Sequence, residues 1–155
     1  MKHVNRLLKP LSDVPLQAYL DNRLQLFDVL EYILSQTGPA KVYVSTFSTS
    51  EEFLRRLFSL RKRKMILHSV LLADLKAARK TVNLYTFMSS VFDDVYLTEN
   101  HSKVLLIEKD RWMVTVVTSQ NQTRGNRTEC AMITTQPDIF LTLRDQFSEI
   151  INTRS

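Results

Sequence analysis

The chain has 155 residues, 44% of them hydrophobic and 24% charged, the balance of a globular domain able to build a core. Its formal net charge of +5 and sequence pI near 9.5 favour a polyanionic partner, and a lone cysteine, Cys130, excludes an internal disulfide and a cysteine-based zinc site. No apolar run is long enough to cross a bilayer, and the start MKHVNRLLKPLSDVP lacks the unbroken apolar core of a signal peptide, so a cytoplasmic protein with no membrane partner is expected. Residues 1–155 read as one domain, in which residues 1–20, punctuated by Pro10 and Pro15, are expected to be an irregular segment of loop and short turns. From Asp21 the apolar positions Leu24, Phe27, Leu30 and Leu34 follow a helical stripe that Gly38-Pro39 stops. Lys41 to Phe47, KVYVSTF, alternates and is β-branched, which predicts a strand with Tyr43 and Phe47 packed in the core.

Ser48, Thr49 and Ser50 offer N-caps for a second helix, whose first turn carries Glu51 and Glu52 and whose buried stripe is Phe53, Leu54, Leu57 and Phe58. The basic residues Arg55, Arg56 and Arg61 to Lys64 read first as the solvated face and end of that helix, and second as a nonspecific grip on phosphate. MILHSVLLA is short and apolar enough for a buried strand, in which His68 is a core or partly buried residue. Residues 74–92 are expected to be helical, Val95 to Leu97 a short strand, and Cys130 to Thr134 another strand with Cys130 as a buried thiol. Pro137 opens a closing amphipathic helix with Ile139, Leu143, Phe147 and Ile150 on one side. The order of elements predicts an α/β fold, a mixed β-sheet covered by helices on both faces.

The chemistry concentrates in HSKVLLIEKDRWMVTVVTSQNQTRGNRTE, residues 101–129. His101 and Lys103 are two apart, so on a strand both side chains leave the same face. Val104 to Ile107 continues that strand, Trp112 to Thr118 forms a second, and Lys109, Asp110 and Arg111 break them into an antiparallel hairpin. Pairing Glu108 with Trp112 across this three-residue loop sets Lys103 against Val117 and His101 against Ser119, with Glu99 against Asn121. His101, Lys103, Ser119 and Asn121 would then share one patch, an arrangement that a slip of one residue breaks.

These residues resemble the phospholipase D superfamily, whose signature is His-x-Lys, a strand, Gly-Ser-x-Asn, and a later segment ending in Asn or Glu. Here the three pieces are His101-Ser102-Lys103, Ser119-Gln120-Asn121 and Asn126-Arg127-Thr128-Glu129. Glu108 stands where the family has a structural aspartate, and Thr118 where it has the glycine. The resemblance implies a phospholipase D-like fold and a phosphodiesterase of the nuclease-like type with a single His-x-Lys. In that reading His101 attacks phosphorus and forms a covalent phosphohistidine, and Lys103 and Asn121 hold the non-bridging oxygens. Glu129 orients the imidazole, and Ser119, Arg124 and Arg127 bind substrate. No metal or other cofactor enters the implied mechanism.

The mechanism needs a second imidazole on the leaving oxygen, and neither His3 nor His68 is followed two residues later by lysine. The resemblance therefore implies a homodimer with two His101 side chains facing across a twofold axis. The expected substrate is nucleic acid, with DNA favoured over RNA. The alternatives are a nucleic-acid-binding or dimerisation module without turnover, and a phospholipid phosphodiesterase.

Overall fold

A computed structural model describes residues 2–79, 82–121 and 127–154. In chain order the elements are α1 (Lys2–Leu7), β1 (Leu16–Asp21), α2 (Leu26–Thr37), β2 (Ala40–Thr46), α3 (Glu51–Lys62), β3 (Ile66–Asp74), α4 (Leu75–Arg79), α5 (Val82–Val91), β4 (Asp94–Thr98), β5 (Val104–Lys109), β6 (Trp112–Thr118), β7 (Glu129–Thr134) and α6 (Pro137–Arg154). The strands form one seven-stranded sheet in the order β1-β7-β6-β5-β2-β3-β4. β2, β3 and β4 run parallel, and every other pairing is antiparallel, so the sheet is mixed.

Alternation along the central strands feeds two apolar layers. Val42, Val44, Leu71, Leu105, Ile107, Val114 and Val116 face one side, where they join Phe27, Leu30, Ile33, Leu54 and Leu57 of α2 and α3. Tyr43, Val70, Leu72 and Leu106 face the other side and meet Phe140 and Phe147 of α6. Helices thus cover both faces, as the alternation of elements predicted. The expected helix stops and caps also hold: Gly38 follows α2 at φ 78°, a left-handed position that glycine occupies without strain, and the Ser50 side chain accepts from Phe53 N–H at 3.2 Å to cap α3.

Several expectations need correction. The first 20 residues hold a helix and an edge strand rather than turns alone, because β1 finds its partner in β7 more than a hundred residues later, with Leu16 opposite Thr134 and Asp21 opposite Glu129. Residues 74–92 divide into α4 and α5, with residues 80–81 between them outside the described part. Cys130 is exposed, on the face of β7 that also carries the exposed Met132 and opposite the exposed Leu20 of β1. Phe47 lies just past β2 and belongs to neither apolar layer, while Tyr43 is buried as expected.

The basic run is engaged in ion pairs: Arg55 with Glu51, Arg56 with Asp28, Arg61 with Asp93 and Arg63 with Glu31. His68 is partly exposed and placed 3.1 Å from Asp94. Among the described residues no helix is long and apolar enough to cross a membrane.

Candidate functional site

The sequence motif gathers at one end of the sheet. The parallel strands β2, β3 and β4 finish there at Thr46, Asp74 and Thr98, and β5 begins there at Val104, immediately after His101-Ser102-Lys103. Crevices at the carboxyl ends of parallel strands are where α/β sheets bind ligands, because the chain leaves the sheet there and exposes polar groups.

Asn100 fixes the approach to His101, a role the sequence reading missed. It is 7% exposed. Its side-chain N–H groups donate to Ser45 Oγ at 3.1 Å, Thr46 O at 3.0 Å and Leu72 O at 3.4 Å, bridging β2 and β3. Its Oδ1 accepts from the Ser102 hydroxyl at 2.6 Å and from Ser102 N–H at 3.3 Å. One buried amide therefore clamps the turn that carries His101. The only sequence signal was its place directly before His-x-Lys.

Asp74 completes the clamp. Its Oδ1 accepts Asn100 N–H at 2.9 Å, and its Oδ2 accepts Lys76 N–H at 3.0 Å and Ala77 N–H at 3.1 Å at the start of α4. The Asn100 N–H above all, then those of Ala77 and Lys76, hold its carboxyl below the ordinary carboxylate value, with a further contribution from His101 across the cleft. Bonds to three N–H groups keep this carboxylate ionised.

His101 is exposed, and its ring meets Phe47 edge-on with centroids 4.7 Å apart and planes at 63°. Lys103 is partly buried and its ammonium donates to the His101 carbonyl at 3.2 Å, so cation and imidazole leave the same turn. The expected pairing beyond them is off by one. Observed pairs are Val104 with Val117, Ile107 with Val114, Glu108 with Met113 and Lys109 with Trp112. The turn is Asp110-Arg111 alone, made possible because Asp110 adopts φ 52°, a left-handed conformation that aspartate tolerates better than most residues. Carried past the strand ends, this register aligns His101 with Gln120 rather than with Ser119, and the predicted four-residue patch on one face does not form.

Gln120 is instead drawn inward. It is buried, takes the Tyr19 hydroxyl on its Oε1 and donates to Leu24 O at 2.8 Å. Burial pushes the Tyr19 phenol well above its ordinary value, so it remains a neutral donor. Ser119 and Asn121, on either side of this anchor, are bound elsewhere. The Ser119 hydroxyl donates to Glu129 Oε2 at 3.2 Å and accepts from Cys130 N–H at 3.1 Å. Asn121 Oδ1 accepts Ser48 N–H at 3.2 Å.

Because Ser48 follows Phe47, which touches His101, the Asn121 side chain reaches the rim of the same site by a route the ladder did not predict. Glu129 is hydrogen-bonded to Ser119 and, among the described residues, not to His101. Arg127 is exposed near the start of β7; Arg124 and Asn126 lie outside the described residues. Glu108, at the far end of the hairpin, takes Arg144 Nη1 at 2.9 Å and so ties α6 to the sheet.

The fold that carries this geometry is shared with a polyphosphate kinase. The match is to the enzyme from Porphyromonas gingivalis, at a TM-score of 0.68 and 12% identity, covering 99% of this chain and 29% of that one. TrmBL2, an archaeal chromatin protein, matches at a TM-score of 0.54 and 5% identity over 99% of this chain and 59% of that one. The chain thus spans under a third of the kinase and little over half of TrmBL2, and identities this low bear on fold alone. No family model and no curated protein matches the sequence.

Proposed function

We propose that the protein is a metal-independent phosphodiesterase of the phospholipase D type, acting on nucleic acid, with DNA favoured over RNA. The observation that carries the reading is the exposed imidazole of His101 beside a lysine whose ammonium sits 3.2 Å from the same residue's carbonyl, at the open carboxyl end of the parallel strands. A phosphodiester resists attack because its oxygens repel the nucleophile, and a fixed ammonium relieves that repulsion. The lone pair of one His101 nitrogen forms a bond to phosphorus, and the bond to the leaving oxygen breaks as that oxygen takes a proton from a second imidazole. Water then attacks the phosphohistidine and returns its proton to the second imidazole, so the products are an alcohol and a phosphomonoester. Lys103 and Asn121 hold the non-bridging oxygens, and Glu129 acts through Ser119 to fix the β6–β7 side of the site. Arg127 and Arg124 are placed by sequence to meet the substrate backbone.

The second imidazole comes from His101 of a second copy. An uncovered apolar sheet face supports this. Leu20 is 72% and Leu16 60% exposed on edge strand β1, and they share their face with Met132 and Val117, which are exposed as well. Apolar residues contiguous on a sheet face are a common mark of association.

Replacing His101 by Ala should abolish hydrolysis of a generic phosphodiester and of DNA in chelator, with an unchanged circular dichroism spectrum; hydrolysis that persists removes the mechanism. A non-hydrolysing nucleic-acid-binding module is the second reading. It is favoured by the engagement of Asn121 Oδ1 by Ser48 and of Glu129 by Ser119, which leaves neither on the imidazole. TrmBL2 shows a novel mode of DNA binding, which accords with either reading. DNA retained without cleavage by the wild-type chain would select the second.

A further inference from the structure

Phe47 is out of place for a core residue. β2 sends Val42 and Val44 into one layer and Tyr43 into the other, and the chain then leaves the sheet so that the next aromatic ring turns to the site instead of to either layer. There it lines an open cleft of about 490 Å³ together with Asp74, Lys76, Glu99 and His101. A volume of this size accommodates a small ligand or one nucleotide unit. A half-buried aromatic ring beside a polar cleft contributes less to folding than a core ring, whereas it offers a flat partner to a planar ligand.

The charges of the cleft narrow the ligand. Among the described residues that line it, Asp74 and Glu99 set two carboxylates against the ammonium of Lys76, so a run of phosphates would meet net repulsion from these groups. A neutral heterocycle meets none, and its exocyclic amino group can donate to a carboxylate, as the cytosine amino group does to Glu or Asp. Asp74 already accepts three backbone N–H groups, which leaves the exposed Glu99 as the acceptor at the mouth.

We propose that this cleft is a nucleobase pocket, in which Phe47 stacks one unpaired base of single-stranded DNA next to the phosphate held by His101 and Lys103, while Glu99 and Asp74 exclude polyphosphate. The assignment rests on the reading of the chain as a nucleic-acid phosphodiesterase and adds to it the strand state and the group recognised. A base inside a duplex has both faces covered by its neighbours, so only a single strand or an extruded base can give one to Phe47.

The test measures binding and hydrolysis side by side with the full chain. The probes are a fluorescein-labelled single strand of about 12 nucleotides, enough to fill a typical single-strand site, its duplex, and an abasic strand of equal length. One stacked base is worth a factor of about 5 to 150. Phe47→Leu should therefore weaken binding of the base-bearing single strand about tenfold and leave the abasic strand unchanged. Phe47→Tyr should restore it, and Glu99→Gln should make tripolyphosphate a several-fold stronger competitor. Equal affinity of wild type and Phe47→Leu for the base-bearing strand, or equal losses on the base-bearing and abasic strands, overturns the pocket. Hydrolysis is read separately: a wild-type chain that binds in a Phe47-dependent way without cleaving keeps the pocket and removes the phosphodiesterase reading, whereas cleavage indifferent to Phe47 does the reverse.

Discussion

Replacing Asn100 by Ala removes the clamp beneath His101, and its cost follows from the bonds counted at that amide. Three donated bonds, to Ser45 Oγ, Thr46 O and Leu72 O, and two accepted from Ser102 are lost from a position 7% exposed to solvent. With two or three partners left buried at roughly 1 kcal/mol or more each, the loss is about 3 kcal/mol. That is a large share of the roughly 5 to 15 kcal/mol by which a domain is stable. At a urea slope of about 2 kcal/mol per molar, the unfolding midpoint should fall by about 1.5 M with the slope itself unchanged. Ser45→Ala serves as the control, since it removes one of these partners and should cost about 1 kcal/mol. Equilibrium unfolding followed by far-ultraviolet circular dichroism reads both. A midpoint shift for Asn100→Ala no larger than that of Ser45→Ala would mean that water replaces the amide, and that the turn carrying His101 is held by something else.

Two further outcomes are expected. Asp21 is held at a pKa of about 2, against an ordinary value of 3.8, chiefly by the bond from His3 at 2.9 Å and then by the N–H groups of Arg23 and Leu24. A depressed carboxylate contributes stability that is full above its unfolded value and lost as pH falls through the folded one, so thermal stability should drop between about pH 4 and pH 2 and drop less in Asp21→Asn; parallel curves for the two proteins would refute this. Cys130 lies opposite Leu20 on the exposed apolar face, so a thiol reagent should label the native chain readily when dilute and more slowly as it self-associates, while Leu20→Glu should give a monomer by light scattering and fast labelling at every concentration. Labelling independent of concentration in the wild type would exclude this face from the contact between subunits.

Local pattern carried most of the architecture. The helical stripe from Phe27 to Leu34 with its stop at Gly38, the cap at Ser50, and the β-branched runs of β2, β3, β5 and β6 are properties of short segments, so propensity and periodicity reveal them, although the helix begins at Leu26 and leaves Leu24 outside it. Strand β1 escaped because its exposed face carries Leu16 and Leu20 while Gln17 sits on the side of buried Tyr19, a pattern with no clear inside until β7 arrives beside it. The His-x-Lys turn was legible as a motif, and so was the remote, structural place of Glu108, now seen against Arg144.

What surrounds the imidazole was settled by distant parts of the chain meeting. The sequence by itself marked His101 and Lys103 as the candidates for chemistry, because side-chain type and spacing along the chain need no partner to be read. Only the tertiary structure decided the register beyond that strand, where one left-handed aspartate shortens the turn and moves every later residue to the other face. It also decided the support of the site, since Asn100, Asp74 and Gln120 act through bonds to β2, β3, Tyr19 and Leu24 that no local pattern announces. The same holds for Phe47. Its alternation matches a core residue, and only the point at which β2 leaves the sheet turns its ring to the cleft.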